Sequence, residues 1–327
     1  MNRRSLKVDE ENLTFVVQGP SVELNGKDLT LRLFSSIREW FPRSRVLFST
    51  WKNPNPNYLE FLDKIVINSD PGAEYFLDNP ATLNNVNRQI VSTYQGLKRV
   101  ETHYAIKVRS DLIFYNRKIL KAFQIDEIEG RNPKWSFLQR NVLVSNQTSI
   151  NPRLCTPIPF HLCDWIHAGQ TKDLLEIWSI PLMPSTDFRY FSKISRPEHV
   201  SDPYLSRFHP EVYITKSFVQ KYISLDFENS FDASEENIEL SEKIVANNFI
   251  IKSNLQLGLK SQKYNKPYSV FLKMYTHKDW RKLAMREGMT LNPFEFDLVS
   301  IVRPFLKFFR PYRVLADWFK SRKRAKV

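Results

Sequence analysis

The residues best suited to chemistry are Arg109-Ser110-Asp111, which interrupt the apolar run YAIKVRSDLIF at residues 104–114. A carboxylate at a strand end suits Mg²⁺ or Mn²⁺, which take hard oxygen ligands and share phosphate oxygens with a protein. A guanidinium two residues earlier can neutralise phosphate directly through its fork of donors. The alternative is structural: Asp111 caps a turn and Arg109 pairs with it. A second group lies in HLCDWIHAG, where Asp164 stands among aromatics beside Trp165. A carboxylate so placed can take the proton of an attacking hydroxyl, and a tryptophan can stack on a sugar ring. Glu198, in RPEHV, is the rival base, and Asp202 is a weaker third. The sequence alone leaves the choice among them open.

Other chemistries find little support. The chain has 8 Gly against 19 Pro, with no GxGxxG and no GxxxxGK[ST] to cradle a phosphate. No Gly-x-Ser-x-Gly elbow is present. His161, His167, His199 and His209 do not share a ligand spacing, and Cys155 with Cys163 makes neither a zinc set nor a disulfide framework. Two free thiols in a reducing compartment is the expectation.

The elements that must position these residues follow from periodicity. LTFVVQGP reads as a buried strand, followed by a helix capped by Asp28 with Leu29, Leu33, Ile37, Trp40 and Phe41 at helical spacing. RVLFSTW and KIVINSDPG are the next strands. Asn85 is expected to cap a second helix, VNRQIVSTYQGLKRV, whose buried stripe is Val86, Ile90, Tyr94 and Leu97. YAIKVRSDLIF is the fourth strand. This alternation predicts an α/β fold with a mainly parallel sheet flanked by helices. Ligands of such sheets sit beyond the carboxyl ends of the strands, here Gln18-Gly19, Ser49-Thr50-Trp51, Asn68-Ser69-Asp70 and Arg109-Ser110-Asp111. Beyond these, TPIPFHLCDWIHAG reads as extended, with Asp164 shortly before a helix, TKDLLEIWSIP, capped by Thr171.

The net charge is +13, and it is uneven: residues 303–327 hold nine Lys and Arg against one acid, Asp317. Phe305, Phe308, Tyr312, Leu315 and Phe319 recur there at helical spacing, with Phe309, Arg310 and Lys323 among the flanking residues. A basic, aromatic amphipathic helix suits the interface of an anionic membrane, each cation contributing on the order of 1 kcal/mol. Nucleic acid is not the expected partner, because it leaves the apolar stripe unexplained. The division expected is one domain over 1–302, with halves at about 12–150 and 151–302, and a tail over 303–327. No stretch of 18 apolar residues and no secretory apolar run is present, which predicts a cytoplasmic protein, peripheral on the inner membrane face.

The segments VVQGP, SIREWFPRSRVLFSTW, VINSDPG, NVNRQIVSTYQGLK and YAIKVRSDLIF, in this order, resemble the WavE lipopolysaccharide-synthesis family. The likeness continues more loosely through HLCDWIHAGQTKDLLEIWSIPL and RPEH. It implies a glycosyltransferase of GT-A-like fold, moving a sugar from a nucleotide-sugar donor to a bacterial lipopolysaccharide or capsule glycan, on a glycan or lipid-linked acceptor. It further implies that Gln18, Gly19, Asp70, Asn87 and Arg88 line the donor. Arg109 and Asp111 fall where an Asp-x-Asp metal motif stands, but Arg takes the place of the first Asp. Metal, Mn²⁺ or Mg²⁺, on Asp111 and fixed charge from Arg109 are therefore both open. His277, in MYTHKDW, is the candidate for a late histidine completing a metal site. Where the family pattern has Pro-Glu-Gln, this chain has Pro197-Glu198-His199. The alternative function is a non-catalytic nucleotide-binding or assembly protein of a polysaccharide complex.

Overall fold

Six consecutive buried residues, LTFVVQ, make the strand β1 (Leu13–Gln18) that runs through the middle of the sheet. A strand hidden on both faces has no need of polar alternation, and this one has none until Gln18. A computed structural model of the protein describes residues 8–75, 83–123, 128–154, 157–195, 205–263, 273–291, 301 and 303. Around β1 lie β2 (Arg45–Thr50), β3 (Lys64–Ile67), β4 (Tyr104–Arg109), β6 (Val142–Ser145), β7 (Ile166–Gln170) and β8 (Phe249–Lys252). Their order in the seven-stranded sheet is β8-β6-β7-β4-β1-β2-β3. All pairings are parallel except those of β7, which runs antiparallel to both β4 and β6. The α/β fold with a mainly parallel sheet is as the periodicity predicts.

Two helices set the N-terminal half. α1 (Leu29–Trp40) begins at Asp28, whose Oδ1 accepts from the Leu31 amide at 2.9 Å, and it buries Leu29, Leu33, Phe34 and Ile37. α2 (Val86–Leu97) lies so close over the sheet that a Cβ at Gly96 would meet Val16 Cγ1 at 2.7 Å and Ser49 Cβ at 2.9 Å. Glycine there lets the helix come down onto β1 and β2. Its buried stripe is Val86, Ile90, Thr93 and Leu97; Tyr94, expected in it, is only half-buried. The expected Asn85 cap is absent: Asn84 Oδ1 takes the Val86 amide instead, at 3.1 Å.

The fourth strand does not resume in the same sheet. After β4 the chain turns at Ser110-Asp111 and enters β5 (Leu112–Phe114), which pairs with β9 (Leu259–Ser261) in a separate two-stranded ladder. Phe114 pulls β5 into the core, with ring centroids 5.5 Å from Phe15 and 5.4 Å from Phe41. A fully buried phenylalanine contributes about 1.5–3 kcal/mol. That anchor and β4 hold the Ser110-Asp111 turn from both sides.

In the second half, α3 (Thr171–Trp178) follows β7, α4 (Pro210–Val219) and α5 (Glu235–Asn248) precede β8, and α6 (His277–Arg286) closes the described order. Thr171 is the first residue of α3 rather than its cap, and its hydroxyl donates to the Thr102 carbonyl at 2.8 Å. Asp164 precedes a strand, β7, not the helix the sequence suggests. Arg303, counted above with the basic tail, is buried and bonds to Asp279 and the Met274 carbonyl. The rest of the tail, with Phe305, Phe308, Phe309, Arg310, Phe319 and Lys323, lies outside the described residues, as do Glu198, His199 and Asp202.

Candidate active site at the carboxyl edge of the sheet

The single antiparallel strand creates the site. Parallel strands end at the carboxyl edge, and an antiparallel neighbour begins there. Ile166 faces Val108 in the β7–β4 register, and the Arg109 amide donates to the Trp165 carbonyl at 3.0 Å. Asp164 and Trp165 are thereby brought to the end of β4, next to Arg109 and the Asp111 turn.

Arg109 and Asp111 form a forked ion pair, with Nη2 donating to Oδ2 at 2.7 Å and Nε to Oδ1 at 3.2 Å. Asp111 is 5% exposed at its side chain and Arg109 26%, so the carboxylate is inside and the guanidinium is partly exposed. The Arg109 guanidinium also stacks on the Trp165 ring, 5.1 Å from its centroid. Trp165 is buried, and one face is taken by Arg109. This corrects its expected role as an open platform for an acceptor sugar: it supports a cation.

Asp164 is gripped from behind. Its Oδ2 accepts from Gln89 Nε2 of α2 at 2.7 Å, and its backbone carbonyl accepts from the Lys107 amine. Its Oδ1 is buried and has no hydrogen-bond partner among the described residues. Such an atom normally costs free energy, and a substrate hydroxyl is the kind of group that relieves it.

Lys107 was not singled out from the sequence. It sits two residues before Arg109 on β4, fully buried, with its amine 4.6 Å from the Trp178 ring centroid. Burial pushes its amine down to about 8, although the Asp164 charge pulls the other way. Beneath it, His167 Nδ1 accepts from Trp178 Nε1 at 3.1 Å, and Nε2 meets the Cys163 carbonyl at 2.9 Å. Burial, and then the Lys107 charge, lower His167 to about 3, so this imidazole is neutral and structural.

Glu211 is the other residue the sequence reading missed. It stands in the first turn of α4 after Pro210, and its Oε2 lies 3.8 Å from His161 Nε2. Burial first, and the Asp164 charge second, push Glu211 up to about 8, against the pull of Arg109. The available signal was a second Pro-Glu at a helix start, Pro210-Glu211, thirteen residues after the Pro197-Glu198 that drew attention. His161 and His209 are also brought together, with ring centroids 5.6 Å apart.

The remaining predicted residues divide. Gln18 is buried at the end of β1, its Oε1 accepting from Ser92 Oγ at 3.1 Å, while its carbonyl takes the Ser110 amide at 3.1 Å. Gly19 has φ +122°, and a Cβ there would meet Ser110 Oγ at 2.9 Å, so β1 and the Asp111 turn touch through this glycine. Asp70 and Arg88 form a second forked pair, both contacts at 2.7 Å, stacked 5.3 Å from the Trp51 ring centroid. Arg88 holds the Asp70 carboxyl below its ordinary range. Asn87 does not point to this edge: its side-chain amide is bonded both ways to the Met183 backbone, at 3.1 and 2.7 Å. His277 is likewise elsewhere, with Nδ1 on the Ile251 carbonyl of β8. That is three strand spacings from β4, about 14 Å across the sheet.

The donor set does not fit a divalent metal. Both Asp111 oxygens are bonded to Arg109, whose positive charge repels a dication and which stands in place of the first acid of an Asp-x-Asp. Among the described residues no group of three or more His, Cys, Asp or Glu could hold an ion.

A mainly parallel α/β sheet with a buried carboxylate and a forked arginine at its carboxyl edge defines the class of protein. Residues 13–304 match the WavE lipopolysaccharide synthesis family, and the chain belongs to it. The resemblance carried by the sequence motifs is thus confirmed over nearly the whole chain, which places the protein in lipopolysaccharide synthesis. None of the curated proteins matches it. Among solved structures it is similar to 4-diphosphocytidyl-2C-methyl-D-erythritol synthase from Anaerococcus prevotii DSM 20548, at 10% identity and a TM-score of 0.32, covering 70% of this chain and 94% of that one. Among the described residues no helix is long and apolar enough to cross a membrane.

Proposed function

We propose that this protein is a glycosyltransferase of GT-A type that moves a sugar from a nucleotide-sugar donor to a lipopolysaccharide or capsule glycan. The observation that carries this reading is the meeting of Asp164 with Arg109 where antiparallel β7 begins beside the end of β4. A nucleotide sugar presents a diphosphate leaving group, and a carboxylate facing it across a short gap suits the incoming hydroxyl.

In the reaction the acceptor oxygen bonds to the anomeric carbon as its proton passes to Asp164 Oδ1. The bond from that carbon to the diphosphate oxygen breaks, and its electron pair leaves with the nucleoside diphosphate. Arg109 stabilises the growing negative charge. Arg109 keeps 26% of its side chain exposed while paired with Asp111, so its charge is carried to the surface rather than buried. Arg109 does here what a metal does in an Asp-x-Asp site, and Asp111 orients it. The nucleoside would lie over Gln18, Gly19 and the Trp51–Arg88–Asp70 corner. The basic tail would bring the domain to the anionic membrane where a lipid-linked acceptor resides.

The test is release of nucleoside diphosphate from a panel of nucleotide sugars, with rough lipopolysaccharide as acceptor. Turnover with one donor, lost in Asp164→Asn while nucleotide binding persists, is expected. Nucleotide binding without turnover for every donor would favour a non-catalytic assembly role.

A further inference from the structure

We infer that the outer face of α6 is a docking surface for an anionic phospholipid membrane, and that it sets which side of the protein lies on that membrane. The inference goes beyond the reaction proposed above and does not depend on it. It adds a folded helix to the tail, where the sequence alone had placed the membrane contact.

The α6 sequence, HKDWRKLAMR, sorts its residues onto two stripes. His277, Trp280, Leu283 and Ala284 are buried and hold the helix to the sheet. Trp280 Nε1 donates to the Phe249 carbonyl at 2.6 Å, and His277 Nδ1 meets the Ile251 carbonyl at 2.8 Å, both on β8. Lys278, Arg281, Lys282, Met285 and Arg286 follow the spacing i, i+3, i+4, i+7, i+8, so they share the opposite face. Four of these five are cations and none is an acid. Lys278, Lys282 and Arg286 are exposed, and Met285 between them is 53% exposed. The face is fixed in place at its start. The Asp279 amide donates to Thr276 Oγ1 at 3.0 Å, and the Thr276 amide to Asp279 Oδ2 at 2.8 Å, a capping box.

Three observations say what covers this face. The first is charge. The acids of α6 and its end are engaged: Asp279 is bonded to Arg303, and Glu287 Oε2 accepts from Asn247 Nδ2 at 3.2 Å. Arg286 meets Glu242 Oε2 at 2.7 Å and still keeps 52% of its side chain exposed. An anionic surface complements such a face. The second is continuity with the tail. Arg303 bonds to Asp279 in the first turn of α6 and to the Met274 carbonyl, so residues 304–327 continue from beside the start of this helix. They add eight Lys and Arg against one acid, Asp317, together with Phe305, Phe308, Tyr312, Leu315 and Phe319. One membrane surface can take both. The third is the apolar content. Met285 and Ile301, at 53% and 50% exposed, suit the boundary between headgroups and acyl chains. A nucleic-acid backbone would use the cations and leave these two groups without a role. β8 is an outer strand of the sheet, so this edge of the protein turns towards the membrane.

The experiment is co-sedimentation of the full chain with vesicles of equal parts phosphatidylglycerol and phosphatidylcholine, and with vesicles of phosphatidylcholine alone. The wild type is expected to bind the first and not the second. Each cation near an anionic surface contributes about fivefold to partitioning, so the double variant Lys278→Glu/Lys282→Glu should bind at least ~20-fold more weakly. The control is Lys98→Glu/Arg99→Glu, an equal change of net charge at the end of α2, which lies over β1 and β2 rather than β8. At physiological salt it should stay within about twofold of the wild type, because charges more than a Debye length from the surface are screened. Both variants replace exposed residues, and matching melting temperatures check that they fold. Equal losses in the two variants would mean that net charge, not this face, drives binding, and would overturn the inference. Wild-type affinity in Lys278→Glu/Lys282→Glu, or no binding of the wild type to phosphatidylglycerol vesicles, would overturn it too. Tighter binding of the wild type to a DNA duplex than to the vesicles, lost in Lys278→Glu/Lys282→Glu, would give the face to nucleic acid and overturn the membrane assignment.

Discussion

Arg109 holds Asp111, two residues along its own chain, through contacts of 2.7 and 3.2 Å that use both carboxylate oxygens. The pair makes the two residues unequal. Asp111 is the buried support and Arg109 the partly exposed group. Removing Arg109 takes away the charge proposed to face a diphosphate and strands a buried acid. Arg109→Ala should lower kcat/KM by about 10²–10³ and cost about 3–5 kcal/mol of stability. Arg109→Lys should restore little, because an ammonium cannot make the fork. Asp111→Asn should fold and keep more activity than Arg109→Ala. Steady-state rates with denaturant melts check all three.

Lys107 gives a prediction in which stability and activity move in opposite directions. Its folded amine is held down at about 8, below its ordinary 10.5, by burial. The sign follows: the folded state binds the proton less well than the unfolded chain. The resulting penalty is absent above about pH 10.5 and complete below about pH 8. Lys107→Met should therefore raise the melting temperature at pH 7, with a gain that shrinks towards pH 10.5. It should also lower kcat, because the amine that fixes Asp164 is gone. A melting temperature that falls at pH 7 would count against a burial-driven penalty.

Glu211 gives the opposite pH dependence. Its folded carboxyl is raised to about 8 from 4.5, so the folded state binds the proton more tightly than the unfolded chain. That contribution is full below about pH 4.5 and is lost as the pH rises through about 8. Wild-type stability should decline over this interval, and Glu211→Gln should flatten the decline. Thermal melts at pH 5, 7 and 9 measure it; parallel curves would refute it.

Gly19 joins the end of β1 to the Asp111 turn. Its φ of +122° and the 2.9 Å approach of a Cβ to Ser110 Oγ leave no room for a side chain. Gly19→Ala should cost about 1–3 kcal/mol. It should also reduce activity more than an equally destabilising change remote from this edge, because Ser110 would shift beside Asp111.

The N-terminal half was legible in the sequence because its signals are local. Asp28 caps α1 as its position suggests, and β1, β2, β3 and β4 read directly as apolar runs ending in polar residues. The geometry around Asp164 was hidden because it is decided by pairing. IHAGQ, the β7 sequence, is short, with two small residues and no alternation, and only its insertion between β4 and β6 makes it an antiparallel strand. That insertion carries Asp164 to Arg109. Lys107 did carry a signal, a lone lysine within an apolar strand, which is costly unless it acts on something. The two Pro-Glu helix starts were indistinguishable locally; Glu211 comes beside His161 because of where α4 packs. Between metal on Asp111 and fixed charge from Arg109, both open in the sequence, the bonding of both Asp111 oxygens to Arg109 is what favours the second in the proposed mechanism.

The central claim is that Asp164 takes the acceptor proton while Arg109, rather than a metal, stabilises the departing diphosphate. The most direct measurement is the initial rate of nucleoside diphosphate release in excess EDTA, for the wild type and Asp164→Asn, with the donor that the panel identifies. The account predicts that the wild type turns over undiminished in EDTA. Asp164→Asn should fall by about 10²–10⁴ with donor affinity unchanged. Wild-type turnover that stops in EDTA and returns with Mn²⁺, or an Asp164→Asn variant that keeps the wild-type rate, would contradict it.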